Sequence, residues 1–279
     1  MFDHDTQILE VTTYRLPNPH GDGYLFSIQA ASFAQAIEIA KARGVDFSGA
    51  RFRSDDDRPL RLSGVNLAGA KLRGAAFHAA LDGANLSGAD MRKAGISGRA
   101  TGADFSNADL REANLSGSNF MGANFTNAKL AGADFSDSEI AGAIFVGADF
   151  AGVDISRAKL STIEADVAAV LRGATQAEVA AILEAIKAGK FDGSANGGAP
   201  IVGFIAAGRG SNHGLVSNLN RYAERFAAAI KKGDKPAANP VAKILADWLT
   251  ARLPEALTEL PRAACCPTCG QPLPQKKAA

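Results

Sequence analysis

The stretch from Val45 to Thr162 repeats every five residues, as in Ala84-Asn85-Leu86-Ser87-Gly88 and Ala123-Asn124-Phe125-Thr126-Asn127. We can lay 24 repeats of the form A-(D/N)-(L/F)-x-G along this segment. Neither an α-helix nor a β-strand has a period of five residues, so the pattern indicates an array of identical small units. How one unit stacks on the next therefore decides the fold of this segment.

These residues resemble the pentapeptide-repeat family, and the resemblance covers about 118 of the 279 residues. Proteins of that family form a right-handed quadrilateral parallel β-helix, in which each repeat is one side of a square and four repeats make a coil. The resemblance implies a mainly β fold of about six coils. The overall layout, with additions before and after the repeats, is similar to pentapeptide-repeat proteins of bacteria and their phages.

The residue types agree with that shape. The large apolar residue and the alanine should point inward, because a square coil has room for only one large side chain per side. Overfilling a packed interior costs roughly 1–3 kcal/mol, which explains the small residue beside each large one. We expect the Gly and Asn positions near the corners, where the backbone needs positive φ.

Two repeats are one residue short, because Phe77 to Leu86 and Ile96 to Phe105 each span nine residues instead of ten. Counting in fours places both deletions on the fourth side, in the second and third coils, where they should stack and dent that wall. A third irregularity, Asp55-Asp56-Asp57-Arg58-Pro59, falls on the third side of the first coil. It should bulge outward.

Sorting the outward residues by side predicts a basic surface on the second side. Eight cations are assigned to it: Arg51, Arg53, Lys71, Arg73, Arg92, Lys93, Arg111 and Lys129. Acidic residues gather toward the far end, as Asp134, Asp137, Glu139, Asp149 and Asp154. One interpretation is an anionic partner that binds the second side. The other is a solvated face that keeps the repeats soluble.

The composition of the whole chain limits the classes of function. Its formal charge of +1 argues neither for a dedicated nucleic-acid binder nor for an acidic mimic. The sequence has no N-terminal apolar segment and no long apolar run, so neither a signal peptide nor a membrane span is expected. Three cysteines close together do not suggest a disulfide framework. We therefore predict a cytoplasmic protein.

Residues 1–44 are predicted to form a ββα unit that covers the open end of the β-helix, where unpaired strand edges need a cap. Ile8 to Leu16 and Tyr24 to Ala30 have the composition of strands. Ser32 should cap a helix that continues to about Arg43.

Residues 163–262 are predicted to form an α-helical domain. Ser161-x-x-Glu164 and Thr175-x-x-Glu178 are capping-box signatures that start two helices. Further helices are expected from about Asn220 to Lys232 and from Asn239-Pro240 onward. A Gly/Ala/Ser-rich stretch with one short apolar run lies between the two pairs, from Asp192 to Gly214.

The sequence gives no sign of an enzyme. Its four histidines, at positions 4, 20, 78 and 213, lack the spacing of metal ligands. Gly208 to Gly214 contains Arg, Ser and His among glycines and could cradle a phosphate. No Gly-Lys-Ser/Thr follows, so a flexible loop is the alternative.

Residues 263–279 carry the motif Cys265-Cys266-Pro267-Thr268-Cys269-Gly270, which resembles the knuckle of zinc ribbons. A structural zinc takes four ligands, and the chain contains no second Cys-x-x-Cys. Four interpretations stay open: zinc shared by Cys266 and Cys269 of two chains, zinc completed by His213, a redox-active pair, and a metal-free tail. A structural zinc would use Cys265, Cys266 and Cys269, and residues 271–279 are expected to be disordered.

Three functions follow from these features. The first is a scaffold that displays a basic side to an unidentified protein and self-associates, for instance as a homodimer. The second comes from the resemblance, since some pentapeptide-repeat proteins mimic duplex DNA and bind type II topoisomerases such as DNA gyrase. The third is direct nucleic-acid binding through the second side, which would weaken steeply with salt.

Overall fold

The computed structural model describes residues 12–54, 58–171, 174–193, 200–209 and 222–253. The chain divides into two compact units, the first with a hairpin, a helix and the repeats, and the second with α-helices. Several predictions lie outside the described residues: the first residues of the N-terminal strand, the bulge at Asp57, most of the Gly208–Gly214 loop and everything after residue 253.

The first unit begins with a hairpin and a helix. Strand β1 (Thr12–Pro17) pairs antiparallel with β2 (Tyr24–Ala30). Helix α1 (Phe33–Ala42) starts after Ser32, whose hydroxyl accepts a hydrogen bond from the Gln35 N–H at 3.1 Å. The order strand, strand, helix and the bounds of β2 confirm the prediction from the sequence.

The repeats stack through four ladders of parallel β-bridges. Bridged residues are 19 or 20 positions apart, so four repeats complete one coil. We name each ladder by the residues that form it. The first contains Asn66, Asn85, Asp104 and Asn124; the second Lys71, Asp90, Asp109, Lys129 and Asp149; the third Ala76, Gly95, Asn114, Asp134 and Asp154; the fourth Ala80, Arg99, Asn119, Glu139 and Lys159.

The inside of the coils is filled as the repeat predicts. Inward residues such as Ala84 and Leu86 are fully buried. Rings of successive coils stack, for example Phe105 on Phe125 with centroids 5.0 Å apart. The corner positions adopt positive φ, which is +65° at Gly88.

The two short repeats stack on each other, as the sequence predicts. They form extended strands, β5 (Ala76–Ala80) and β6 (Gly95–Arg99), which pair in parallel. Losing one residue removes the turn between the third and fourth ladders, so the chain runs straight across both. Gly98 is required there, because its φ is +141° and a Cβ would lie 2.4 Å from the Ala79 carbonyl oxygen.

The first coil is shifted by one side relative to the prediction. The Phe47 N–H donates to the Lys71 carbonyl at 3.0 Å, so Phe47 lies on the second ladder. Strand β3 (Arg51–Phe52) pairs with Ala76–Phe77 of β5 on the third ladder. Strand β4 (Leu60–Arg61) pairs with Ala79–Ala80. The chain between β3 and β4 thus joins neighbouring ladders, whereas the prediction counted it as a side of its own.

Helix α1 provides hydrogen-bond partners at the start of the first ladder. A Glu38 carboxylate oxygen accepts the Asn66 N–H at 2.7 Å, and the Lys41 ammonium lies 3.3 Å from the Asn66 carbonyl oxygen. The hairpin extends the aromatic core, since the Phe26 ring meets the Phe47 ring edge-on at 6.4 Å. An edge that would otherwise expose unpaired backbone groups is therefore satisfied by side chains.

The second unit contains helices α2 (Ser161–Leu171), α3 (Gln176–Lys187), α4 (Pro200–Arg209), α5 (Tyr222–Ala227) and α6 (Pro240–Arg252). Thr175 and Glu178 form the predicted capping box of α3, and the Asn239 side chain caps α6. These two helix starts are therefore confirmed.

One helix of this unit was not predicted, and one predicted helix is shorter than expected. The apolar run inside the Gly/Ala/Ser-rich stretch is part of helix α4, whose first N–H groups, at Ile201 and Val202, donate to the buried Glu224 carboxylate at 2.8 and 3.0 Å. The helix expected to reach Lys232 ends at Ala227, because the next residues form i→i−3 turns, as from the Ile230 N–H to the Ala227 carbonyl.

Candidate functional site

The outward side chains of the repeats are held by a hydrogen bond that recurs in most coils. The Asp or Asn before each inward residue accepts the backbone N–H two residues later, as in Asn85 to Ser87 at 3.1 Å and Asp134 to Ser136 at 2.8 Å. Because the same bond recurs along each ladder, outward residues form straight columns along the stack. Charge on one column is therefore displayed at fixed spacing.

Six of the eight predicted cations belong to the second ladder and the column beside it. They are Lys71, Arg73, Arg92, Lys93, Arg111 and Lys129. Arg51 and Arg53 do not join them. Because the first coil is shifted by one side, Arg51 pairs with Ala76 and both arginines lie on the third ladder. The assignment of these two residues to the second side is thus wrong.

Half of the cations on the second side are neutralised by carboxylates. Arg92 makes two hydrogen bonds to Asp90, at 2.8 and 2.7 Å, and Arg111 makes two to Asp109, at 2.8 and 2.6 Å. Lys93 lies 3.3 Å from a Glu112 oxygen. The second side is consequently less basic than a count of its residues predicts.

These ion pairs lower the pKa values of the two aspartates that they involve. The hydrogen bond from Arg92 holds the pKa of Asp90 below its ordinary value, and that from Arg111 does the same for Asp109. Partial burial opposes both shifts but is the smaller effect. The two carboxylates are therefore charged at neutral pH and form ion pairs with Arg92 and Arg111.

The cations at the start of the stack have no such partners. Within the part of the chain that the structure describes, the side chains of Arg51, Arg53, Lys71 and Arg73 make neither an ion pair nor a hydrogen bond. All four are exposed. They lie on the second and third ladders of the first two coils, so two neighbouring walls carry positive charge at one end. Lys71 and Arg73 also contribute to lowering the pKa of Asp46 and Asp90, respectively, through their charge.

A groove of about 490 Å³ lies on the third ladder beside Arg51 and Arg53. Its floor contains the smallest outward residues of the ladder, Ala76 and Gly95. The other side chains that line it are Phe77, His78, Ile96, Ser97, Asn114 and Ser116. Cations thus lie at one end of the groove, and amide and hydroxyl groups at the other.

The sequence pattern did not predict this groove. The missing signal was the spacing of ten residues between the buried Phe52 and Leu62, twice the length of one repeat. If that spacing is interpreted as a connection between two sides, Arg51 and Arg53 are predicted to lie next to the shortened repeats.

The acidic residues of the later coils are only partly compensated. Asp137 makes two hydrogen bonds with Arg157, at 2.8 and 2.6 Å, and these lower the pKa of Asp137. Asp134 and Asp154 follow each other on the third ladder and accept backbone N–H groups. The end opposite the unpaired cations therefore carries negative charge.

The described residues contain no group of three His, Cys, Asp or Glu side chains that could hold a metal ion. The zinc prediction rests on Cys265, Cys266 and Cys269, which lie outside those residues. None of the helices in the described part of the chain is both long enough and apolar enough to span a membrane.

The family model for pentapeptide repeats matches residues 61–98, 101–137 and 128–162, with eight copies. The matched repeats imply a right-handed β-helix. The match indicates no catalytic family. A comparison with the curated proteins gives no match.

Several solved structures are similar to this chain. A pentapeptide repeat protein from the Arabidopsis thaliana thylakoid lumen is 32% identical over 47% of this chain and 76% of its own, with a TM-score of 0.21. Rfr23 from the cyanobacterium Cyanothece 51142 is 28% identical over 34% of this chain, with a TM-score of 0.22. This chain spans 59% of the length of Rfr23.

The plasmid-mediated fluoroquinolone resistance protein QnrB1 is 22% identical over 40% of this chain and 63% of its own, with a TM-score of 0.17. Each of these three likenesses covers less than half of this chain.

Proposed function

This chain belongs to the pentapeptide-repeat family, and on that basis we propose that it is a non-enzymatic scaffold that binds a protein with an acidic surface. The binding surface is the cationic end of the repeats, formed by Arg51, Arg53, Lys71 and Arg73. We call these four residues the cationic end.

One observation carries this proposal: among the residues that the structure describes, the side chains of the cationic end form no ion pair, whereas Arg92, Lys93 and Arg111 further along the second side do. A paired guanidinium has already used two of its five N–H donors and its charge is largely neutralised, so it attracts a second anion less strongly. Unpaired cations on a rigid frame keep their donors for a partner, and they speed its approach through long-range attraction.

The organisation proposed for the chain assigns one role to each part. Residues 1–44 cap the repeats, residues 45–162 form the quadrilateral stack of about six coils, and residues 163–262 form a helical domain. The hydrogen bond from Asn66 to Glu38 supports the capping role. Self-association through the helical domain, with or without zinc at the cysteines of residues 263–279, stays a prediction that sedimentation and metal analysis can test.

Charge distinguishes this proposal from the DNA-mimic alternative. A mimic of duplex DNA needs rows of free carboxylates to take the place of phosphates, but Asp90 and Asp109 on the second ladder are held by Arg92 and Arg111. The first ladder carries amides at Asn66, Asn85 and Asn124. The experiment below therefore does not assume DNA gyrase as the partner, and recovery of gyrase is one of its possible results.

The experiment is affinity capture of the full-length chain from a nuclease-treated lysate of its source organism, with quantification by mass spectrometry. Reversal of all four charges of the cationic end to Glu should reduce the captured partner by at least about tenfold, as expected when several charge-assisted contacts are lost. Circular dichroism should show unchanged folding, since all four side chains are exposed.

A matched control applies the same change of net charge elsewhere. Lys190, Lys231, Lys232 and Lys235 are exposed residues of the second unit, and their reversal to Glu should leave capture unchanged. Equal capture by wild type and the cationic-end variant would contradict the proposal. Recovery of a gyrase subunit would favour the DNA-mimic reading, and loss of all capture after nuclease treatment would favour a nucleic acid.

A further inference from the structure

The groove on the third ladder presents hydrogen-bond donors to solvent. The Asn114 side-chain oxygen is already occupied, because it accepts the Ser116 N–H at 3.1 Å and the Ser116 hydroxyl at 2.7 Å. The Asn114 amide NH₂ is therefore the polar group left to face outward. Together with the guanidinium groups of Arg51 and Arg53, it gives the groove donors at both ends.

The shape of the groove follows from the column of residues on the third ladder. Arg51, Ala76, Gly95 and Asn114 are successive rungs, and only the two in the middle lack a long side chain. With rungs about 4.8 Å apart, the groove extends for about 14 Å along the stack. That length accommodates about four residues of an extended peptide, at about 3.4 Å per residue.

The two ends of the groove differ in charge. Both arginines are at the end nearest the start of the chain, and the next rung beyond Asn114 is Asp134. An occupant would therefore place its carboxylates near Arg51 and Arg53 and a neutral part near Asn114. Attraction at one end and repulsion at the other favour one orientation over its reverse.

We infer that this groove is the docking site for an extended acidic segment of the protein partner. The inference rests on the proposed function and makes it more specific, because it assigns the contact to a shaped groove rather than to an open charged surface. Carboxylates of the segment accept hydrogen bonds from Arg51 and Arg53, and its backbone lies over Ala76 and Gly95.

Gly95 allows a test of shape that leaves the charge unchanged. Its φ is outside the left-handed region, and a Cβ would find its nearest neighbour at 4.0 Å, the Asn114 carbonyl oxygen. Gly95→Met should therefore fold normally and fill the floor of the groove. Ala151→Met adds the same side chain at an exposed position of the second ladder and is its control.

The measurement is fluorescence anisotropy of a fluorescein-labelled hexaglutamate peptide titrated with the full-length chain at low salt. Arg51→Gln with Arg53→Gln should raise the Kd about tenfold or more, since charge-assisted contacts are lost. Gly95→Met should raise it about fivefold or more by blocking the floor. Lys232→Gln with Lys235→Gln, and Ala151→Met, should leave it within about twofold.

Three results would overturn the inference. Unchanged binding by Gly95→Met would show that the peptide binds open surface charge, which leaves the proposed function standing. Competition by inorganic phosphate at the concentration of the peptide would indicate a site for free anions. If hexaglutamate does not bind at all, an acidic segment is excluded as the occupant of the groove. Failure of the proposed function is a separate result, namely partner capture that survives reversal of the cationic end.

Discussion

The coils built from residues 47–99 and those built from residues 100–159 use the same repeat, yet they differ in regularity and in charge. In the later coils bridged residues are 20 positions apart, as in Asp104 to Asn124, and a turn follows every inward residue. In the earlier coils the spacing is 19 or 25, as in Asn66 to Asn85 and Phe52 to Phe77. Only the earlier coils contain strands of five residues within the described repeats.

The spacing of bridged residues changes from 19 to 20 positions at Ser118. Ser118 is buried, donates its hydroxyl proton to the Ile96 carbonyl at 2.8 Å and lies 3.3 Å from the Gly98 N–H as acceptor. A polar side chain thus compensates for the backbone offset where a coil of 20 follows a coil of 19. Departures from the repeat are built into the packing and are compensated locally.

The comparison also shows how the two regions differ in the pairing of their charges. Regular coils bring a residue of one ladder next to the same position of the next coil, so Asp and Arg pair along and across rungs, as in Asp137 with Arg157. The irregular start of the stack places Arg51 and Arg53 beside Ala76 instead, and the groove results.

The largest expected effect comes from the glycine that the irregular coils require. Gly98→Ala should lower the free energy of unfolding by about 3 kcal/mol or more, because its Cβ would lie 2.4 Å from the Ala79 carbonyl oxygen. Gly102→Ala, at a regular corner with open space and φ of +64°, should cost only about 1–2 kcal/mol. Urea denaturation measures both, and equal costs would mean that the straight strands can rearrange.

A smaller effect is expected at the start of the first ladder. Glu38→Ala should cost about 1 kcal/mol, because the Asn66 N–H loses its acceptor at 2.7 Å. Glu38→Gln keeps an oxygen at the same place and should cost less than half of that. Thermal unfolding of the two variants measures the difference. If both variants unfold like wild type, the carboxylate is not needed as a cap.

The smallest effect on stability is expected from the ion pair between Asp109 and Arg111 on the second side. Because Arg111 holds the pKa of Asp109 below its ordinary value, the pair adds stability above the unfolded pKa of about 3.9, and that stability is lost as the pH falls through the folded pKa. Asp109→Asn should lower stability at pH 7 by less than about 1 kcal/mol, with a smaller further loss at pH 3 than wild type shows.

Arg111→Gln is the companion variant, since it removes the guanidinium that donates to Asp109 and leaves the carboxylate in place. Its unfolding free energy should also depend less on pH than that of wild type. Denaturant titrations at pH 7 and pH 3 test this, and an identical dependence in all three proteins would exclude Asp109 as a contributor.

Much of the fold could be read from the sequence, because its signals are local and repeated. The period of five specified inward and outward residues such as Leu86 and Asn85, and Thr175 with Glu178 specified the start of α3. The eight cations were also visible as a set. Their arrangement was not, since pairing depends on which residues stack, and one miscounted side moved Arg51 and Arg53 to another wall.

The sequence by itself thus determined the inward and outward positions of the repeat and the helices with local caps, while the coil of four repeats came from the family resemblance. Only the tertiary structure decided the register of the first coil, the straight strands at Phe77 and Ile96, and the groove. It also decided helix α4, whose first N–H groups are satisfied by Glu224 from more than twenty residues away. The physical reason is the same in each case: a hydrogen bond between distant residues selects among local conformations of similar energy.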